Sequence, residues 1–203
     1  QYRRAVSLLR LGRYRDSLEL FSEIERRYRS TRYFRYVYFY KGTAHFRLEE
    51  YGRAVEAFAA FLAGAADPEL NPQALLSKAQ AELALGNTGA AAHDLEVLVR
   101  EHSRSSARGV VLLAYAYLSQ GRASEVLELS AQNPAESLPE GSRELYRLYR
   151  AEALWALGKS PEAASLYSGL LSAPVEIASV AYRRLFLAAE AECTAIAEQH
   201  AAA

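Results

Sequence analysis

A chain of 203 residues, 51% hydrophobic and 24% charged, has the composition of a globular protein, and no apolar run approaches the ~18 residues that crossing a bilayer requires. Its 24 basic and 24 acidic side chains cancel, which argues against a chain-long basic stripe, and a single cysteine, Cys193, excludes an internal disulfide. The balance is uneven along the chain: residues 1–47 carry a net +8, residues 48–101 a net −6 and the remainder a net −2, with half of the 14 tyrosines in the first stretch.

In chain order, five segments of helical apolar period are each split by a short break. Residues 1–30 break at Leu11-Gly12-Arg13-Tyr14 and residues 31–66 at Leu48-Glu49-Glu50-Tyr51. The breaks of 71–103, 104–133 and 141–173 are Leu85-Gly86-Asn87-Thr88, Gln120-Gly121-Arg122-Ala123 and Leu157-Gly158-Lys159-Ser160. Glycine just past a helix can take the left-handed conformation that closes it, so Glu49 predicts either strain or a different turn. Asn71-Pro72 and Ser160-Pro161 read as a capping side chain ahead of a proline at the first helical position, where no N–H is missed. Pro68, Pro134, Pro139 and Pro174 fall in connections, the longest of which, Gln132 to Gly141, is expected to be irregular. Beyond Pro174 a further helix, 174–199, is expected to cover the open face of the fifth pair. Any leader or lipid anchor would lie ahead of Gln1.

Four second helices carry a small residue one turn before an aromatic or Leu, Ser17 and Phe21, Ala54 and Phe58, Ala91 and Leu95, Ala163 and Tyr167, and the remaining one carries Val126 and Ser130 at the same two places. The first members recur at intervals of 37, 37, 35 and 37 residues. A period in this range means stacked helix pairs, none able to bury its apolar face alone, and hence one repeat domain over residues 1–203. The first helices of the second to fifth pairs hold a small residue at the matching place: Gly42, Ala79, Ala114 and Ala151.

These positions together resemble the tetratricopeptide repeat (TPR) family over nearly the whole chain. The resemblance implies an all-α, right-handed superhelical array of about five helix pairs plus a C-terminal capping helix. It also implies a scaffold for protein partners rather than an enzyme, with first helices lining a concave groove. By alignment the groove positions are Tyr36, Phe39, Thr43 and Phe46 in the second pair and Leu76, Gln80 and Leu83 in the third. The fourth offers Val111, Tyr115 and Leu118, and the fifth Leu148, Glu152 and Trp155. Family members that hold a C-terminal carboxylate place Lys, Arg and Asn there, so these mostly apolar residues point instead to an amphipathic or apolar segment. The alternative is that superhelical curvature buries some of these residues against their neighbours, or that the chain's own C-terminal helix folds back into the groove. The departures are a period longer than the family's ~34 residues and Ser130 in place of an aromatic or Leu. The long period, with Arg and Tyr in quantity, is similar to bacterial cell-envelope members and leans toward the periplasm or envelope.

No catalytic or metal constellation emerges, and no cofactor is expected. His45, His93, His102 and His200 are scattered over different pairs, and Gly158-Lys159-Ser160 lacks the earlier glycine and strand of a phosphate-binding loop. His45 faces a neighbouring helix and reads as a hydrogen-bonded core histidine, and Cys193 as a structural thiol. A basic patch is expected from Arg26, Arg27, Arg29, Arg32 and Arg35. The first three suit a helix C-terminus, whereas Arg32 and Arg35 oppose the macrodipole of the helix they begin, which leaves an acidic partner, the acidic middle third of another copy, phosphate or a merely solvated face as the readings. The reading is therefore a protein-binding scaffold, with homo-oligomerisation compatible. Its alternative is nucleic-acid binding through the Arg- and Tyr-rich first third.

Overall fold

The computed structural model describes residues 1–28, 34–64, 67–102 and 107–201; of residues 192, 193 and 195–201 only the backbone is described. Among the described residues there are eleven α-helices, one 3-10 turn at Ala135–Ser137, and no strand. They group into two compact units, Gln1–Gly109 and Val110–Ala203.

The first unit holds α1 (Tyr2–Arg10), α2 (Tyr14–Arg27), α3 (Phe34–Arg47), α4 (Tyr51–Leu62), α5 (Asn71–Ala84) and α6 (Thr88–Glu101), with the start of α7 (Ala107–Ser119). The second holds the rest of α7, then α8 (Ala123–Gln132), α9 (Glu140–Ala156), α10 (Ser160–Gly169) and α11 (Val175–Ala201).

All five breaks fold into one turn. The N–H groups of Arg13, Glu50, Asn87, Arg122 and Lys159 donate to the carbonyls of Leu8, His45, Glu82, Tyr117 and Leu154 at 2.8–2.9 Å, and the preceding residue's N–H donates three residues back. This is the Schellman closure, and it requires a left-handed residue in the middle. Gly12, Gly86, Gly121 and Gly158 supply it at φ 72–78°, and Glu49 adopts φ 60°. The repeat thus imposes its turn on Glu49 rather than bending to it, and the residue carries the strain that glycine avoids. The two proline-led helices differ from expectation. Their N-caps are Leu70 and Lys159, one residue earlier than expected, and neither Asn71 nor Ser160 makes a side-chain cap. Ahead of α5 it is Asp67 Oδ1 that accepts from the N–H groups of Glu69 and Leu70.

The repeat signature is the core. In the first unit Ala5, Phe21, Ile24 and Val37 pack together with Tyr40, whose ring stacks on Phe21 at 5.9 Å. Ser17 is fully buried and donates its hydroxyl to the carbonyl of Ala5 at 2.8 Å, so the small residue of the first pair is also a satisfied polar one. Beside this cluster Phe39, Ala54, Phe58, Phe61, Ala74 and Ala81 form the next. Gly42 is small because Phe58 lies on it: a Cβ there would stand 2.8 Å from the ring. One ionic cluster is buried in the α5–α6 pair. Lys78 Nζ reaches Glu82 at 2.8 Å and Asp94 at 2.6 Å, and burial raises the Glu82 carboxyl above its ordinary pKa against the opposing effect of Lys78. In the second unit Leu148, Ala151, Leu154, Ala163, Tyr167, Leu170 and Ala181 make the core of α9–α11.

Candidate protein-docking face

In the Gln1–Gly109 unit α3, α4, α5 and the start of α7 line a cleft of about 340 Å3 with Thr43, Phe46, Arg47, Phe58, Gln73, Leu76, Ser77, Gln80 and Arg108. Helical geometry selects these residues: Thr43, Phe46 and Arg47 share one face of α3, and Gln73, Leu76, Ser77 and Gln80 share one face of α5. Phe46 and Leu76 are half-buried, while Arg47 and Arg108 are exposed. With its amide oxygen turned toward α7, Gln80 accepts from Arg108 Nε and Nη2 at 3.2 and 2.9 Å. The Thr43 hydroxyl donates to the Phe39 carbonyl at 3.0 Å. Among the described residues no carboxylate lines the cleft.

Four of the expected groove residues, Thr43, Phe46, Leu76 and Gln80, therefore meet in one cleft. The two arginines were missed, although the signal was present: Arg47 follows Thr43 by four residues, and Arg108 precedes Val111 by three. Other positions lie elsewhere. Phe39, Val111 and Leu148 are less than 9% exposed and belong to the core, because the helices rotate these positions toward their neighbours. Leu83 and Leu118 are half-buried, and Tyr115 is 44% exposed with its ring against Tyr149. Tyr36 packs on Phe61 and donates its hydroxyl to Asp67 at 3.1 Å.

In the fifth pair α11 covers the groove positions. Arg184 forms a two-pronged pair with Glu152, Nε to Oε1 at 2.9 Å and Nη2 to Oε2 at 2.5 Å, and its guanidinium lies 5.4 Å from the Trp155 ring centre. Tyr167 donates a third hydrogen bond to Glu152 at 2.8 Å. Burial works to raise the Glu152 carboxyl, but Arg184 and Tyr167 outweigh it and hold the pKa below its ordinary value. Glu152 and Trp155, two of the expected groove positions, thus contact the chain's own C-terminal helix.

Of the basic patch, Arg29 and Arg32 lie outside the described residues. Arg27 pairs with Glu23 at 3.0 Å, and Arg26 lines a second, charged cleft with Glu25, Lys41, His45 and Arg53. Arg35 turns inward. Its guanidinium lies 3.4 Å from Asp67 and 5.0 Å from the Phe61 ring centre, a structural reason for a basic residue that the helix dipole disfavours. Asp67 is held below its ordinary pKa, first by the Leu70 N–H and then also by Tyr36 and Arg35. His45 places Nδ1 2.6 Å from Glu50 Oε2, the hydrogen-bonded role expected of it. Cys193 and His200 have side chains outside the described set, and among the described residues no group of three His, Cys, Asp or Glu could hold a metal.

Comparison with known proteins agrees with this fold. The tetratricopeptide repeat profile matches residues 2–71, 39–105 and 76–125, together more than half of the chain. The chain belongs to the tetratricopeptide repeat family. Two crystal structures from Podosopora anserina, of a kinesin light chain by description with nearly identical TPR-like repeats, share its fold. One is 20% identical with a TM-score of 0.64, covering 90% of this chain and 94% of that one. The other is 20% identical with a TM-score of 0.62, covering 89% and 92%. No curated protein matches the sequence. TPR repeats generally mediate protein–protein interaction, and their typical role is that of a scaffold without catalysis. Nothing in these likenesses supports the nucleic-acid alternative or the cell-envelope lean. Among the described residues no helix is long and apolar enough to cross a membrane.

Proposed function

We propose that this TPR chain is a non-enzymatic scaffold that takes an amphipathic segment of a protein partner in the cleft between α3, α5 and α7. The observation that supports this reading is the make-up of the cleft: apolar surface from Phe46 and Leu76, two exposed guanidiniums from Arg47 and Arg108, and no carboxylate among the described residues of the lining. A segment that lays apolar side chains on Phe46 and Leu76 and carries acidic ones beside the arginines satisfies both features. The surplus of positive charge in residues 1–47 acts at longer range and draws such a partner in.

Two labelled amphipathic peptides with the same apolar face, one acidic and one basic, test the reading by fluorescence anisotropy. The acidic peptide is expected to bind, and Arg47→Glu with Arg108→Glu should weaken it about tenfold, mostly through slower association at low salt. Phe46→Ala should weaken it further while thermal melting stays nearly constant. Equal binding of both peptides, or preference for the basic one, refutes the proposal.

A further inference from the structure

The capping helix carries a second apolar surface, independent of the cleft. One side of α11 faces the α9–α10 pair: Ala178 and Ala181 are buried, and Ile177, Val180 and Leu185 pack on the same core. The other side carries Tyr182 and Phe186, 61% and 65% exposed, and the exposed Ala189. Val175, 80% exposed, lies seven residues before Tyr182. Intervals of four and three residues are those of a coiled-coil seam, with Tyr182 and Ala189 at one seam position and Phe186 at the other. Arg183 and Glu190, each one residue beyond a seam residue, flank it at the same heptad place, seven residues apart. Both are exposed, and among the described residues neither has an ion-pair partner.

We propose that α11 is a homodimerisation helix that pairs antiparallel with α11 of a second copy. The charges select both occupant and direction. When Phe186 of one copy faces the partner subunit's Ala189, two-fold symmetry makes the reverse contact as well, so each large side chain meets a small one. In that register Arg183 lies alongside the partner subunit's Glu190, and Glu190 alongside the partner subunit's Arg183. Around Phe186 and Ala189 the helix is therefore complementary to itself in both shape and charge. A parallel, in-register pair would set Phe186 against Phe186 and leave Glu190 opposite the inward-facing Leu185 and Arg183 opposite the buried Ala178. It satisfies neither.

Sedimentation velocity on the whole chain tests this. The unaltered protein should show a concentration-dependent monomer–dimer equilibrium in the micromolar range. Phe186→Asp should be monomeric with unchanged far-ultraviolet circular dichroism, since the residue lies outside the core. If that variant loses helicity, Tyr182→Ser with Phe186→Ser is read in its place. Arg183→Glu alone and Glu190→Arg alone should each weaken dimerisation about tenfold by setting like charges together, and the two combined should restore it. A chain that stays monomeric up to about 100 µM, a Phe186→Asp variant that still dimerises, or a combined reversal as weak as its single parts would each overturn the proposal. Phe186 is remote from Phe46 and Leu76 in sequence and is absent from the cleft lining, so failure here leaves the cleft reading untouched.

Discussion

Gly42 and Phe58 offer the most direct test of how one repeat is packed. A Cβ on Gly42 would stand 2.8, 2.9 and 3.0 Å from Phe58 Cδ1, Cε1 and Cγ, whereas favourable carbon contacts lie near ~3.5–4.0 Å. Gly42→Ala gains about 1 kcal/mol from helix propensity and loses about 1–3 kcal/mol by forcing a ring whose residue is only 1% exposed to shift within a filled core. The net expectation is destabilisation of up to about 2 kcal/mol. Gly52→Ala supplies the control, because nothing lies within 4 Å of its Cβ in α4 and only the propensity gain remains. The same sixteen-residue spacing holds Ala79 and Leu95 in the third pair, both fully buried, so Gly42→Ala with Phe58→Leu rebuilds a pairing the array already uses. Phe58→Leu alone opens space, and the added methyl partly refills it, so the double variant should be more stable than the sum of the single effects by about 1 kcal/mol. Urea unfolding followed by circular dichroism, with unchanged m-values, measures all four. Additive effects, or a Gly42→Ala protein as stable as Gly52→Ala, would refute the claim that close approach of Phe58 is what keeps glycine at residue 42.

Glu49→Gly should stabilise the chain by about 1 kcal/mol, since it relieves a left-handed φ that the other four breaks give to glycine; a lower melting temperature would contradict this. Arg184→Leu should cost about 2 kcal/mol by leaving Glu152 without its charged partner. Glu152 has a lowered folded pKa, so its contribution is complete above the ordinary value of 4.5 and is lost as pH falls through the folded one. Urea midpoints of the parent protein should therefore drop on acidification below about 4.5 more steeply than those of Arg184→Leu, and parallel pH profiles would refute the pairing.

The fold was legible because its evidence is local. The repeated glycine breaks, the small-before-large pairs and the prolines in the connections each act within one or two turns, and their period carries the stacking. At Glu49 the sequence left strain and a different turn both open, and the fold keeps the turn of the other four breaks with Glu49 at φ 60°. What tertiary structure decided was the rotation of each helix and the partner of each charge. Spacing alone put Phe39 with Phe46 on one face, yet Phe39 is buried against Phe58 and Phe61, because position along a helix does not say which stripe meets a neighbour. Arg35 looked like a surface cation opposing a helix dipole until the fold brought Asp67 to it from 32 residues away. Glu152 and Trp155 likewise became the seat of the capping helix through Arg184, which the sequence places 32 residues beyond Glu152. Periodicity reports which residues want burial; only packing in three dimensions selects what buries them.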